Sequence, residues 1–151
     1  MTDATAYRFE RVSPDHLPLI KRFYKQANYV HQVGRKEEVY CLRSRDDQTI
    51  IAAVRLVRMA DYLFLRSMVV LPERQTQGIG KYFLQRITEA LQHRVCWCYP
   101  FIWLEQFYAG AGFETVIPEN TPTLVHTKYQ QYREQGRRIL IMRYSLPASP
   151  T

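Results

Sequence analysis

The chain has 151 residues and a mass of 18.0 kDa, enough for one domain with its own core. Hydrophobic residues make up 46% and charged residues 23%, with 6 Gly and 8 Pro, which excludes disordered, collagen-like and low-complexity chains. The 21 Lys and Arg stand against 14 Asp and Glu, a formal net charge of +7, and such a balance attracts anions, whether nucleic acid or a phosphorylated small molecule.

Residues 6–12 alternate Tyr7, Phe9 and Arg11 against Ala6, Arg8 and Glu10, which predicts a strand. Ser13 and Pro14 then open a helix, the serine as cap and the proline at the first helical position, where a missing N–H costs little. Leu17, Ile20, Phe23 and Tyr24 give that helix one apolar face. Residues 28–35, with Tyr29, His31 and Gly34, read as a loop or short helix. Segments 38–43 and 49–58 predict a hairpin around Ser44, Arg45, Asp46 and Asp47, and 62–70 adds a third strand to an antiparallel meander. Its middle strand is nearly all apolar and is expected to be central.

Pro72 stops the third of these strands, and residues 78–93 predict a helix with Ile79, Phe83, Ile87 and Leu91 on one face. A strand over 95–99, a helix over 101–109 ended by Gly110 and Gly112, and a strand over 113–117 follow. After a loop at 118–122 come a helix over 123–135, stopping at Gly136, and a closing strand over 138–146. The order predicts one α+β layered domain over 1–151 with a mixed sheet. Apolar runs are too short to span a bilayer and no secretory signal opens the chain, so a cytoplasmic location is expected. Three cysteines are an odd count; Cys96 and Cys98 share one face of a strand and read as reduced core thiols, with no metal site indicated.

The stretch from Val69 through Lys81 carries the chemistry. A strand runs through a short loop into an amphipathic helix, with Gly78 and Gly80 at the junction. The first N–H groups of a helix have no internal partners, and its positive dipole end favours anions. Glycines there let a phosphate approach the backbone. Gln75, Gln77 and Lys81 add side-chain donors and Arg74 adds charge. The stretch lacks the third glycine of the dinucleotide fingerprint and the Ser or Thr of a nucleotide-triphosphatase loop. Glycines serving tight packing alone are the structural alternative.

Gln75-x-x-Gly78-x-Gly80, preceded by Val70-x-Pro72, resembles the acetyl-coenzyme A signature of the GNAT superfamily of N-acetyltransferases. The segment Phe107-Tyr108-Ala109-Gly110-Ala111-Gly112-Phe113 is similar to a second motif of that family. The resemblance implies a mostly antiparallel central sheet flanked by helices and acetyl-CoA as co-substrate, without a metal. It assigns the pyrophosphate to Gln75, Thr76, Gln77, Gly78, Ile79, Gly80 and Lys81, and the pantetheine arm to Met68, Val69 and Val70. It also implies that Tyr108 protonates the departing thiolate. Phe101 stands where many members carry an Asn, and Arg66 and Ser67 stand where some carry a catalytic Glu.

The expected activity is therefore direct attack of a primary amine of a small metabolite on acetyl-CoA in a ternary complex, with a backbone N–H near Met68 or Val69 facing the oxyanion. No general base is assigned; Glu105 shares a helix face with Tyr108, while His31 and Glu38 lie near the acceptor side and read as solvated surface groups. Residues 126–145 carry Lys128, Arg133, Arg137, Arg138 and Arg143 against Glu134 alone, and an acceptor bearing a carboxylate or phosphate fits this charge better than a polyamine. A solvated basic face is the plain alternative. The partner is expected to be the small-molecule amine, with no membrane and no nucleic acid, and a homodimer is left open. A nucleic-acid-binding module and a non-catalytic CoA-binding sensor are the rival readings.

Overall fold

Residues 6–28, 37–75 and 78–145 are described by the structure, a computed structural model. Alternation and polar breaks build its first half: strand β1 (Tyr7–Arg11), helix α1 (Leu17–Gln26), and strands β2 (Glu38–Ser44), β3 (Ile50–Met59) and β4 (Tyr62–Val70). The second half interleaves helix α2 (Ile79–Leu91), strand β5 (Cys96–Cys98), a short helix α3 (Glu105–Ala109), strand β6 (Phe113–Thr115), helix α4 (Thr123–Glu134) and strand β7 (Met142–Tyr144). These strands form a seven-stranded sheet in the order β1-β2-β3-β4-β5-β7-β6. Only the β4–β5 pair is parallel, so the sheet is mixed and mostly antiparallel. No helix among the described residues is long and apolar enough to cross a membrane.

The helices divide between the two faces according to strand parity. Tyr40, Leu42, Val54, Leu56, Leu63 and Leu65 pack with the apolar side of α2 and with Tyr108 of α3. Val39, Cys41 and Ala53 face α1 instead, and Phe64, Trp97 and Ile141 cover Val125 of α4. Thus α2 and α3 lie on one face, α1 and α4 on the other. Cys96 and Cys98 are free, buried and on the same face, as their spacing implies. Burial pushes the Cys96 thiol up to about 12, which leaves it protonated.

Several elements differ from their predicted extents: Ser13 makes no side-chain cap and Pro14–His16 is a 3-10 turn before α1, β6 ends at Thr115, and the third helix and the closing strand are shortened most. Residues 101–104 do not join α3. Ile102 N–H bonds the Arg138 carbonyl at 3.0 Å and Leu140 N–H bonds the Pro100 carbonyl at 2.9 Å. These bonds tie the segment to the chain entering β7, leaving a single 3-10 turn at Ile102–Leu104. The closing strand is shortened for the same reason, because Ile139 bridges Phe101 before β7 begins.

Glu38 is not a solvated group. It opens β2 and receives hydrogen bonds from Arg94 Nη2 at 3.1 Å and the Tyr40 hydroxyl at 3.0 Å. Arg94 also donates to the Leu91 and Ala90 carbonyls, so it caps the C-terminus of α2 while tying that end to β2. Burial alone would raise the Glu38 carboxyl, but the Arg94 guanidinium and the Tyr40 hydroxyl outweigh it and hold the carboxyl below its ordinary value. A lowered carboxylate adds stability above the unfolded range near about 4.3, lost as pH falls through the folded value. The expected outcome is that Glu38→Gln lowers the melting temperature at pH 7, and that the gap from wild type narrows steadily between pH 5 and pH 3, both within about that carboxylate range. A gap that stays constant across the series would contradict this role.

Candidate functional site

The site begins with a break in the β3–β4 ladder. Ala53 pairs with Val69 and Arg55 with Arg66, so Ser67 and Met68 together stand opposite Val54, a β-bulge. Ser67 has φ 56°, a left-handed conformation costing a residue with a side chain about 1 kcal/mol or more. Its neighbours hold it there. The Tyr24 hydroxyl of α1 donates to the Ser67 carbonyl at 2.8 Å, and Arg55 Nη1 donates to Ser67 Oγ at 3.1 Å. Arg55 is buried and its guanidinium is paired with Glu37. The bulge also resets strand parity. Met68 and Val70 pack with Leu63 and Leu65 towards α2, whereas unbroken alternation would turn them to the other face.

Beyond the bulge β4 leaves β5. The parallel pairing covers only Leu63 with Cys96 and Phe64 with Trp97. Past those pairs a cavity of about 500 Å³ opens, lined by Ser67, Met68, Cys98, Tyr99, Phe101 and Tyr108, among others. Leu71 N–H bonds the Ile51 carbonyl at 2.9 Å, so alternation directs the Val70 amide away from β3 and towards this gap. The same alternation turns the Val69 amide to β3. Met68, within the bulge, lies outside the pairing register. Of the two amides expected near an oxyanion, that of Val69 is turned to β3 and that of Met68 lies at the bulge, while the Val70 amide, which was not expected there, faces the gap.

Tyr108 lines the cavity from α3 and is 8% exposed. Its ring meets Phe107 and Phe113 edge to face, with centroids 5.3 and 5.6 Å away, which fixes its direction. Tyr99 faces the same space, but its hydroxyl donates to the Val125 carbonyl at 2.8 Å and burial pushes its pKa well up. Burial likewise raises the Cys98 thiol well above its ordinary value. The Glu105 carboxylate accepts a hydrogen bond from Thr115 Oγ1 at 2.6 Å. No carboxylate lines the cavity among the described residues. His31 lies outside the described residues.

One loop further on, Gly78 caps α2 with φ 74°, a conformation glycine adopts freely. Ile79, Gly80 and Lys81 follow as the first helical residues, and Tyr82 N–H to the Gly78 carbonyl, 3.2 Å, is the first described bond of the helix. Packing does not require a glycine at 80: a Cβ there would meet Phe107 Cζ at 3.5 Å and Val70 Cγ2 at 3.9 Å, ordinary van der Waals contact. Gln75 does not point outwards as a free donor; its Nε2 bonds the Val70 carbonyl at 3.0 Å, closing the loop onto the end of β4. Thr76 and Gln77 lie outside the described residues. Lys81 is exposed beside a groove between α2 and α3 that Gln85, Gln106 and Phe107 also line.

Sequence reasoning missed the pins of the bulge. Tyr24 reads as one more apolar-face residue, and its hydroxyl partner is 43 residues away. Arg55 carried a signal, being the single charge within an otherwise apolar central strand from 50 to 57, a position that requires a buried partner.

Residues 36–115 match the family model described as acetyltransferase (GNAT) domain. Curated protein sequences give no match to the chain. Among solved structures, the chain is similar to the ribosomal-protein-S18-alanine N-acetyltransferase from Escherichia coli, with 16% identity, a TM-score of 0.66, and 95% of this chain and 96% of that one covered. It is similar to the Rv2747 protein from Mycobacterium tuberculosis in complex with CoA, with 15% identity, a TM-score of 0.67 and coverage of 93% and 99%. It also resembles the N-acetylglutamate synthase from Neisseria gonorrhoeae complexed with CoA and N-acetyl-glutamate, with 19% identity and a TM-score of 0.64. That match covers 93% of this chain, which spans 35% of the synthase chain. At these identities the likeness is one of fold.

The bulge network has a measurable energy. Arg55→Met strands the Glu37 carboxylate in a largely buried setting and should destabilise by about 3 kcal/mol, while Tyr24→Phe removes one hydroxyl donor and should cost about 1 kcal/mol. Because both act on Ser67, urea unfolding of the double variant should show a loss that differs from the sum of the two. Strict additivity would separate the two contacts and contradict a shared network.

Proposed function

The chain belongs to the GNAT family of acetyltransferases, and from that premise we propose that it moves the acetyl group of acetyl-CoA to a primary amine of a small metabolite, by direct attack in a ternary complex within a single domain over 1–151. The carrying observation is the gap between β4 and β5, where the released end of β4 meets Tyr108 a short loop from the start of α2. The residues fit the co-substrate. The left-handed Gly78 and the helix start behind it present amides to an anion, Lys81 adds a cation, and Phe107 of α3 lies across from Gly80 beside the groove.

Acetyl-CoA, when bound, supplies its acetyl group as an activated thioester. The amides from Gln75 through Thr76, Gln77, Gly78, Ile79 and Gly80 to Lys81 hold the pyrophosphate, and Gln75 keeps the loop in register by bonding Val70. Met68, Val69 and Val70 hold the arm: Val69 anchors the strand to β3, while the Met68 and Val70 amides face the gap and the developing negative charge on oxygen. The Tyr108 hydroxyl donates its proton to the departing sulfur, a role suited to a phenol held by packing in a mostly buried position.

Two experiments test this reading. Acetyl-CoA at about a hundredfold excess over its dissociation constant should add about 2.7 kcal/mol and raise the melting temperature by about 5–10 °C; Gly78→Asp, which brings a carboxylate to the cradle, should abolish the rise. No shift in the wild type would contradict the proposal and direct attention to nucleic acid. Tyr108→Phe should keep the thermal shift but lose about 10²-fold or more in turnover. Unchanged turnover would remove Tyr108 from the chemistry, and binding without turnover in the wild type would mark a sensor.

A further inference from the structure

Arg66 precedes the bulge on the same strand face as Phe64, the face covered by α4. Its guanidinium carbon lies 5.7 Å from the centroid of the Tyr132 ring on α4, and that of Arg137 lies 4.7 Å from the same ring. The Arg137 amide bonds the Tyr132 carbonyl at 3.2 Å, which holds this arginine beside the ring after α4 ends. All three residues line the cavity between β4 and β5. Two cations thus share one aromatic surface at the mouth of a pocket that no carboxylate lines among the described residues.

Their isolation is specific. The ion pairs among the described residues engage Arg8, Arg43, Arg55, Arg86 and Arg94; neither Arg66 nor Arg137 has an acidic partner there. The other cations of the basic C-terminal run are spread elsewhere, Arg133 over Tyr129, Arg138 over Trp103 and Arg143 over Trp97. Arg66 and Arg137 share one ring, and with no acidic partner among the described residues their guanidinium groups can meet an anion. Their mutual repulsion falls when an anion sits between them, and a guanidinium matches the two oxygens of a carboxylate. A polyamine entering here would meet only like charge.

We infer that Arg66 and Arg137, set by Tyr132, form the anchor for a carboxylate on the acceptor, so that the acceptor is an amino acid or a related carboxylate-bearing primary amine. This inference rests on the proposed acetyl transfer. The anchor lies on the α1 and α4 face, whereas the phosphate cradle lies at α2 on the other face. The acceptor therefore enters the gap opposite the nucleotide end of the co-substrate, and its amine reaches the acyl carbon beside Met68. The amine nitrogen forms the new C–N bond to give the oxyanion, whose collapse breaks the C–S bond; the sulfur takes its proton from Tyr108, the amine releases one to water, and water returns one to Tyr108.

The test uses the full chain with acetyl-CoA and reads release of the CoA thiol. The acceptors are free amino acids, their amides, the matching decarboxylated amines, and aminoethyl phosphate. The expected result is turnover of carboxylate-bearing members. Arg66→Met and Arg137→Met each raise the acceptor KM by about tenfold or more, with partial rescue by Lys and an unchanged thermal shift by acetyl-CoA. Amides or decarboxylated amines that perform equally well would overturn the inference, as would a preference for the phosphate compound or variants that leave the acceptor KM untouched. Failure of every acceptor while acetyl-CoA still stabilises the chain would also overturn it, leaving the co-substrate site standing. Absence of stabilisation by acetyl-CoA would overturn the transfer reading itself.

Discussion

The β-bulge at Ser67 and Met68 sets which side of the sheet the end of β4 presents to the gap. With one extra residue in β4, Met68 and Val70 stay on the side of α2 although they follow Leu65 at odd spacing. The strand end stays paired with β3 but not with β5, and its separation from β5 leaves room for a molecule between two strands of one sheet. Such a bulge is held against the strain of a left-handed serine by contacts from α1 and β3, namely the Tyr24 hydroxyl and the Arg55–Glu37 pair. Fold stability and site geometry are coupled through these side chains, because removing the bulge would turn Met68 and Val70 to the other face of the sheet.

The two faces of the sheet carry different electrostatics around that gap. On the α2 and α3 side the attraction for anions comes from backbone: a glycine-capped helix start, with one lysine beside it. On the α1 and α4 side it comes from guanidinium groups resting on Tyr132. Backbone amides suit a pyrophosphate, which any member of a phosphate-bearing class presents alike. Side chains can differ from one enzyme to the next, and that is where discrimination among acceptors belongs. The proposed reaction needs both, since the two reactants must meet at one carbonyl while their charged ends stay apart.

The sequence was legible where local chemistry decides the outcome. The hairpin turn at 44–47, the helix faces of α1 and α2, and the glycine-rich entry to α2 all follow from residue spacing and turn propensity. Long-range pairing was not legible. Nothing local tells that β7 inserts between β5 and β6, or that residues 139 and 140 pair with 100 and 101 and so shorten both the helix and the strand read there. At the site, Gly78 was readable as a glycine at a strand-to-helix junction, while its left-handed conformation came only with the fold. Gln75 likewise reads as a free donor until the fold brings the Val70 carbonyl to it. The basic run after residue 126 gave a charge preference, and only the packing of α4 on β4 singled out Arg137 and joined it to Arg66.

The central claim is that the acyl donor lies along the freed end of β4 with its phosphates on the start of α2. Titration of ¹⁵N-labelled protein with acetyl-CoA, read residue by residue in amide spectra, tests it most directly. The account predicts the largest shifts at Met68, Val70 and Gly78 through Lys81, with the Val69 amide, bonded into the β3 ladder, moving less than its two neighbours. Shifts confined to another part of the surface, or a Val69 response equal to that of Met68 and Val70, would contradict it.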